Sequence, residues 1–239
     1  MKKPSPEQIH ALFSSQIGAY AIATPISISA IIAFCVSKKP KRVLELGGGI
    51  GTLTYCVLNY SDAVVEVYEE NDFCVGKLRQ NLDGWSERVI LKESYAQAPN
   101  LVDYDLVMID GPDSETIEER DRLTYRILSG LNNIGSFFIE GSRYSQRQLA
   151  QSKMADISLY FLERVRGRNV DGLGLVKGGL FVHKARYSAK PIRYFCHLFW
   201  LAFDLFDFMD PRRRNKIKTR LRNPFQTILR FFRRFGNGA

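Results

Sequence analysis

The chain has 239 residues, 45% of them hydrophobic, which favours one α/β domain with an appendage over two full enzymatic domains. Its net charge of +9 is uneven: residues 184–239 hold 14 Lys and Arg against 3 Asp, a net of +11, whereas residues 1–183 hold 20 basic against 22 acidic residues, a net of −2. The four widely spaced cysteines argue against a disulfide scaffold and favour a reducing, cytoplasmic setting.

A stretch without charged residues, 11–37, precedes the first predicted strand. Its length raises the alternative of a membrane span, but serine, threonine, glutamine and proline dilute it, and it continues directly into a strand. We therefore expect residues 1–40 to form a helical lead packed on the sheet. Thr24 and Pro25 would open its second half, because proline suits a first helical turn.

Short apolar runs then alternate with runs of helical spacing. The predicted strands are Arg42–Leu46, Ala63–Tyr68, Arg88–Leu91, Tyr104–Ile109, Ser136–Ile139, Ile157–Arg164 and Gly179–His183. The predicted helices include Thr52–Leu58, a helix capped by Asn71 or Asp72 and ending near Leu82, and about Tyr144–Gln151. The glycine-rich segment Gly167–Gly178 is expected to be a loop. This alternation predicts a doubly wound, Rossmann-like α/β fold with a mostly parallel seven-stranded sheet.

A glycine-rich turn, Glu45–Gly51, follows the first predicted strand. Gly47, Gly49 and Gly51 can adopt positive φ and carry no Cβ atoms that would block the close approach of a ligand to the backbone. Dinucleotide dehydrogenases and phosphate-binding loops also use such glycines. Glu45 is the discriminating residue, since a carboxylate there suits a cationic amino acid moiety and would repel a pyrophosphate.

An acidic residue follows the second predicted strand. Glu69 lies 18 residues beyond Gly51 and can accept hydrogen bonds from both hydroxyls of a ribose. The alternative is an exposed charge at a strand end. Glu69 by itself does not distinguish a nucleotide from S-adenosylmethionine.

Together these motifs resemble those of the class I S-adenosylmethionine-dependent methyltransferases over about residues 20–185. Residues 43–51 are similar to the family's motif E-x-G-x-G-x-G, Glu69 matches its ribose-binding acid, and residues 104–112 are similar to D-L-V-x-x-D. The resemblance implies S-adenosylmethionine as the cofactor, with the helical lead covering its site. The implied cofactor-binding residues are Glu45, Gly47, Gly49, Gly51, Glu69 and, at the exit of the third strand, Ser94 with Glu93 as the alternative.

The uncharged lead and the Ile-Asp-Gly turn after the fourth strand resemble the catechol-type, small-molecule O-methyltransferases. That subgroup typically holds a divalent metal with an Asp after the fourth strand and an Asp-Asn pair after the fifth. Asp110 and Glu140 fall at the first two positions, but Gly141 replaces the Asn. We therefore assign no metal ligands, and an oxygen-ligated ion such as Mg²⁺ stays an alternative.

The chemistry requires an acceptor aligned with the activated methyl group and, for a hydroxyl acceptor, a base. Asp110 is the candidate base, and the alternative is that it only holds the loop or the cofactor. His183, in the last predicted strand, is expected to be packed rather than catalytic. We expect methyl transfer to a hydroxyl of a small-molecule, lipid-linked or glycan acceptor.

Three rival functions remain on the sequence alone. Gly47–Gly49 also resembles the spermidine synthases, which transfer an aminopropyl group, although those enzymes usually carry Asp-Gly-Gly after this triplet and this chain has Ile50-Gly51-Thr52. A nicotinamide-dependent dehydrogenase is disfavoured by Glu45. The third rival is a non-catalytic scaffold that keeps the fold while a basic tail acts.

The tail, residues 187–239, is rich in aromatic and basic residues. Asp and Arg interrupt the aromatic stretch 192–209, which makes it a poor membrane span. Basic residues cluster in 212–222, and a basic amphipathic helix is expected after Pro224. This helical extension predicts attachment to an anionic membrane surface at the inner face. The alternatives are packing on the domain or a second subunit, and nucleic-acid binding.

Overall fold

The structure, a computed structural model, describes residues 3–19, 22–112, 114–141, 143–168 and 175–185. In these residues a seven-stranded sheet carries helices on both faces. The strands are β1 (Arg42–Leu46), β2 (Val64–Tyr68), β3 (Val89–Lys92), β4 (Leu106–Ile109), β5 (Ser136–Glu140), β6 (Tyr160–Arg168) and β7 (Leu175–Lys184). The helices are α1 (Pro6–Ser14), α2 (Pro25–Lys38), α3 (Thr52–Tyr60), α4 (Asp72–Asn81), α5 (Ile117–Ser129) and α6 (Tyr144–Ile157), with a 3-10 helix at Asp83–Arg88.

The strand order is β3-β2-β1-β4-β5-β7-β6. Strands β1 to β5 are parallel, whereas β7 runs antiparallel to both β5 and β6. The chain moves outward from β1 to β3 and then returns to place β4 on the other side of β1. This reversal opens a crevice at the carboxyl ends of β1 and β4, where doubly wound folds bind their ligands. The predicted α/β class and mostly parallel seven-stranded sheet are confirmed.

Alternate strand residues fill two separate cores, because successive side chains of a strand point to opposite faces. Val43 and Val65 pack with residues of α1 to α4 on one face. Leu44 and Ile109 pack with residues of α5 and α6 on the other. Burial on both faces explains why the parallel strands appear in the sequence as continuous apolar runs.

The helical lead consists of two helices. Ser5 and Gln8 form a capping box at the start of α1. Thr24 caps α2 by accepting a hydrogen bond from the Ser27 backbone N–H, and Pro25 occupies the first helical position as expected. Within the residues described, no helix is long and apolar enough to cross a membrane.

The predicted boundaries fail near the end of the sheet. Helix α6 continues to Ile157, so β6 begins only at Tyr160. The predicted loop Gly167–Gly178 was wrong at both ends, since β6 runs through Arg168 and β7 begins at Leu175. Gly178 lies within β7, where a Cβ would meet side-chain carbons of Ile26 and Val165 at 2.7 Å, so this glycine reflects close packing rather than a turn. The tail, 187–239, lies outside the described residues.

Candidate functional site

The glycine-rich turn joins β1 to α3 at the crevice. Gly47, Gly49 and Gly51 have φ of 83°, 52° and 96°, a backbone region that favours glycine. The N–H groups of Gly47 and Gly48 both donate to the Tyr68 carbonyl at the end of β2, at 2.9 and 3.0 Å. The turn is therefore fixed to the neighbouring strand as well as to its own.

The space around each glycine differs. A Cβ on Gly47 would lie 2.4 Å from the backbone of Gly111, which follows β4, so this glycine permits close contact between two strand ends. A Cβ on Gly51 would lie 3.5 Å from the Leu82 side chain, an ordinary contact. Around Gly49, in contrast, no described atom other than those of Gly49 itself and its two chain neighbours lies within 4 Å of the Cβ position. Of the three predicted glycines, Gly49 is the one that offers open space to a ligand.

Glu69 lies directly beside this open position. It follows β2, and its Oε2 accepts a hydrogen bond from the Gly49 N–H at 2.7 Å. Its Oε1 accepts from the N–H of Asn71, the N-cap of α4, at 2.9 Å. These contacts hold a half-buried carboxylate at the surface of the glycine turn.

Glu45 lies beneath the turn rather than on its surface. Its side chain points to the face covered by α3, is 1% exposed, and accepts a hydrogen bond from the Thr54 hydroxyl. Burial raises the pKa of this carboxyl well above its usual value, the Thr54 hydrogen bond opposes that shift, and the nearby Asp110 and Glu69 charges add to it. Direct contact between Glu45 and a cationic ligand stays a prediction.

Ser94 and Tyr95, which follow β3, differ in their burial and in their contacts. Ser94 is half-buried, and its hydroxyl accepts a hydrogen bond from the Ala96 N–H within its own turn. Tyr95, which the sequence reasoning did not select, is 2% exposed and stacks on Tyr68 with ring centroids 5.5 Å apart. The backbone N–H of Tyr95 donates to Glu70 at 2.6 Å.

Asp110 follows β4, the strand next to β1, and so lies beside the start of the glycine turn. The backbone N–H groups of Asp110 and Gly111 donate to the Leu46 carbonyl at 2.9 and 2.6 Å, which ties this strand end to the start of the turn. The Asp110 carboxylate accepts from Arg143 at 3.2 Å, and both side chains are less than one-fifth exposed. The predicted catalytic carboxylate is thus an ion-paired group.

Solved structures of methyltransferases share this architecture. An S-adenosylmethionine-dependent O-methyltransferase from Thermotoga maritima is similar with a TM-score of 0.52 and 18% identity, over 78% of this chain and 74% of that chain. A precorrin-6y C5,15-methyltransferase from Geobacter metallireducens is similar with a TM-score of 0.55 and 15% identity, over 77% and 100%. A Podospora anserina methyltransferase, solved with bound S-adenosylhomocysteine, has a TM-score of 0.51 and 13% identity, over 78% and 89%. No protein-family model and no curated protein matches the sequence.

The chain has the class I methyltransferase fold. Gly47, Gly49, Glu69 and Asp110 all follow the carboxyl ends of β1, β2 or β4. The neighbours themselves differ in what their names say they methylate, so the fold leaves the acceptor open.

The metal positions of the catechol-type methyltransferases do not form a ligand set here. Asp110 pairs with Arg143, whose positive charge would repel a divalent cation at the same carboxylate. Glu140, at the end of β5, accepts from the Ser27 hydroxyl at 3.0 Å. In the part of the chain that the structure describes, no group of three or more His, Cys, Asp or Glu side chains could hold a metal ion.

Glu140 also connects the helical lead to this edge of the sheet. Its partner Ser27 lies in the first turn of α2 and is fully buried, and its single hydroxyl proton is shared between Glu140 and the Gly178 carbonyl of β7, which lies 2.5 Å from the Ser27 oxygen. Burial raises the pKa of Glu140, while the Ser27 hydroxyl and the Arg143 and Arg147 charges lower it. The contact between Ser27 and Glu140 therefore attaches the helical lead to β5, the strand next to β4, which Asp110 follows.

Proposed function

We propose that this chain is an S-adenosylmethionine-dependent methyltransferase. The observation that carries the proposal is the contact of Glu69 with the Gly49 N–H, at the glycine whose missing Cβ leaves open space. A ribose placed in that space could donate to the Glu69 carboxylate, while the turn leaves room for the rest of the cofactor. When bound, the cofactor supplies a methyl group already activated on a positively charged sulfur.

Other residues of the crevice support this cofactor. The buried Glu45 places a carboxyl beneath the turn, and an approaching sulfonium or ammonium cation would favour its ionised form. An approaching pyrophosphate, which is negatively charged, would instead disfavour the ionised form of Glu45. Glu45 therefore favours S-adenosylmethionine over a dinucleotide.

The test is the binding of S-adenosylhomocysteine to Glu69→Gln. Loss of a charge-assisted hydrogen bond to ligand hydroxyls should raise the Kd about 10- to 100-fold in isothermal titration calorimetry. Glu87→Gln, which removes an exposed carboxylate from the 3-10 helix, is the matched control and should bind as the wild type does. Equal affinities of the two variants would reject Glu69 as the cofactor's acid.

For the acceptor, we propose a hydroxyl-bearing small molecule, lipid-linked compound or glycan, with Asp110 as the catalytic carboxylate. With the cofactor held at the turn, the acceptor oxygen would bond to the methyl carbon as that carbon left the sulfur, and the hydroxyl proton would pass to Asp110. Arg143 fixes the carboxylate at the strand end. Asp110 and Arg143 together would orient the acceptor beside the glycine turn.

The Asp110→Asn variant distinguishes two possible roles of Asp110, that of the catalytic base and that of a cofactor ligand. If Asp110 is the base, the variant should bind S-adenosylhomocysteine within about twofold of wild type, yet transfer labelled methyl groups to a panel of phenols and lipid-linked alcohols about 100-fold more slowly. A variant that loses cofactor affinity and transfer together would instead assign Asp110 to cofactor binding.

For the tail, we propose attachment of residues 187–239 to an anionic membrane surface. The proposal rests on the net charge of +11 in residues 184–239 and on the aromatic residues between the basic ones. The full chain should sediment with phosphatidylserine vesicles and not with neutral ones, and deletion of 187–239 should abolish sedimentation. Salt-sensitive binding to RNA without vesicle binding would favour a nucleic-acid partner instead.

A further inference from the structure

The edge of the sheet opposite the crevice carries basic residues that belong to the fold and not to the tail. The segment 38–42 joins the end of α2 to the start of β1, and it contains no acidic residue. Its four basic residues are all exposed: Lys38, Lys39, Lys41 and Arg42. Strand β7 runs antiparallel to β5, so its last residue, the exposed Lys184, lies at the same edge.

Two exposed apolar side chains lie beside these cations. Val36, in the last turn of α2, is 58% exposed, and Phe161, at the start of β6, is 49% exposed. The Phe161 ring packs against His183 with ring centroids 4.9 Å apart. Burial lowers the pKa of His183, Glu163 opposes that shift, and the positive charge of Lys38 lowers the pKa further, so Lys38 lies near the same ring. We call the following residues the basic–apolar patch: Val36, Lys38, Lys39, Phe161 and Lys184.

The positive charge of the patch is not neutralised by its surroundings. Among the described residues, no carboxylate forms an ion pair with Lys38 or Lys39. The acids that face this segment act on its other residues, since Asp62 pairs with Lys41 at 3.6 Å and Asp105 accepts from the backbone N–H of Lys41 at 2.6 Å. Such a patch suits an anionic bilayer, because apolar side chains can enter the headgroup boundary while lysines stay at the lipid phosphates.

The chain leaves the fold at this same edge. Ala185, the last residue of the fold that the structure describes, follows β7, and its N–H donates to the Leu159 carbonyl at 2.7 Å. The sequence continues from there into the basic tail. The crevice lies at the other end of β1, a strand of five residues that spans about 17 Å. That distance exceeds the Debye length of about 8 Å at physiological ionic strength, so charges at the crevice contribute little to a contact at the patch.

We propose that the basic–apolar patch is the surface through which the fold itself contacts an anionic membrane. This inference depends on the proposed attachment of the tail, because a few lysines alone would hold the fold only weakly. With the patch on the bilayer, the crevice at the opposite edge faces the solution, and an acceptor would reach it from there.

A double variant of the full chain, Lys38→Gln with Lys39→Asn, tests the proposal. Asparagine is used because Lys39 has a φ of 49°, which asparagine tolerates. Partitioning onto phosphatidylserine vesicles, measured by sedimentation, should fall about 5- to 30-fold, while the Kd for S-adenosylhomocysteine stays unchanged. The matched control, Lys77→Gln with Arg79→Gln, removes the same charge near Glu93, which follows β3 at the crevice edge, and should change partitioning less than about twofold.

A second measurement on the wild-type chain needs no substitution. A water-soluble reagent that acylates amines should label Lys38 and Lys39 more slowly when vesicles are bound, and should label Lys77 at an unchanged rate, as read by mass spectrometry.

Four outcomes would count against the inference. An equal loss of partitioning in both double variants would show that net charge matters and the patch does not. Unchanged labelling of Lys38 and Lys39 on bound vesicles would show that another surface faces the lipid. Protection of these lysines by RNA but not by vesicles would assign the patch to a nucleic acid. Absence of vesicle binding by the wild-type chain would instead reject the proposed attachment of the tail, on which the inference depends.

Discussion

The glycines of the turn have different roles, although they are the same residue type. Gly47 makes room for the backbone of Gly111, whereas Gly49 opens onto empty space. The sequence motif predicts the turn and its positive φ values, but it does not indicate which glycine faces a ligand. That distinction depends on how close β4 lies to β1, which is a tertiary contact.

Alanine substitutions should separate the two roles. Gly47→Ala should lower the free energy of unfolding by about 3 kcal/mol or more, because its Cβ would overlap the backbone of Gly111 at a residue with positive φ. Gly49→Ala should cost only about 1–2 kcal/mol, for its positive φ, and raise the Kd for S-adenosylhomocysteine at least about tenfold. Denaturant titration and calorimetry measure the two quantities. Wild-type affinity in Gly49→Ala would place the ligand elsewhere.

His183 makes the stability of the fold dependent on pH. Its ring is 7% exposed, stacks on Phe181, and bonds to Ser136 at 2.9 Å and Glu163 at 3.2 Å. Burial lowers its pKa below the usual value of 6.5, and the Glu163 contacts oppose that shift. Below pH 6.5 the unfolded chain therefore takes up a proton that the folded chain resists, and stability falls as the pH decreases.

His183→Gln should reduce this dependence. Between pH 7.5 and 5.5, the free energy of unfolding of wild type should fall more steeply than that of the variant, because only wild type gains the extra proton on unfolding. Denaturant titrations at several pH values give both slopes, with His10→Gln as the control on a more exposed histidine. If the free energy of unfolding fell equally steeply with pH in wild type and His183→Gln, His183 would not be the source of the pH dependence.

Among the secondary structure elements, α2 connects the lead to the functional edge of the sheet. Ser27 in its first turn bonds to Glu140 of β5 and to the Gly178 carbonyl of β7. Residues of α2 also lie in the core that covers β1. The contacts of this one helix thus fix the strand ends next to Asp110.

Ser27→Ala should loosen α2. The substitution removes a fully buried hydroxyl, so that the Glu140 carboxyl and the Gly178 carbonyl lose this hydrogen-bond donor. The free energy of unfolding should fall by about 1–3 kcal/mol. Backbone amides of α2 should also exchange faster with deuterium than in wild type. Ser37→Ala, at an exposed position of the same helix, should change stability by less than about 0.5 kcal/mol. Equal effects of the two substitutions would contradict the anchoring role.

Elements with strong local signals were predictable, and elements set by packing were not. The apolar runs of β1, β2, β4 and β5 predicted buried parallel strands, and Thr24-Pro25 marked the start of α2. The bounds of β6 and β7 were misjudged, because Gly178 and Gly179 serve close contacts, such as that of Gly178 with Ile26, rather than a turn.

The whole molecule combines a near-neutral fold with a strongly basic tail. Residues 1–183 carry a net charge of −2, so nothing in the charge of the fold favours a polyanionic acceptor in the crevice. The basic excess belongs to the tail, and the proposed membrane contact concerns the tail and the basic–apolar patch, both apart from the crevice. Cofactor binding and surface attachment can therefore be tested independently.

The central claim is that the crevice at Gly49 and Glu69 binds S-adenosylmethionine. Calorimetric titration of the purified chain with S-adenosylmethionine, S-adenosylhomocysteine, decarboxylated S-adenosylmethionine and NAD tests it most directly. We expect the first two to bind tightly in the wild type and about 10- to 100-fold more weakly in Glu69→Gln. Preference for the decarboxylated compound would indicate aminopropyl transfer, preference for NAD a dehydrogenase, and binding of none of the four a non-catalytic scaffold; each of these results would contradict the claim.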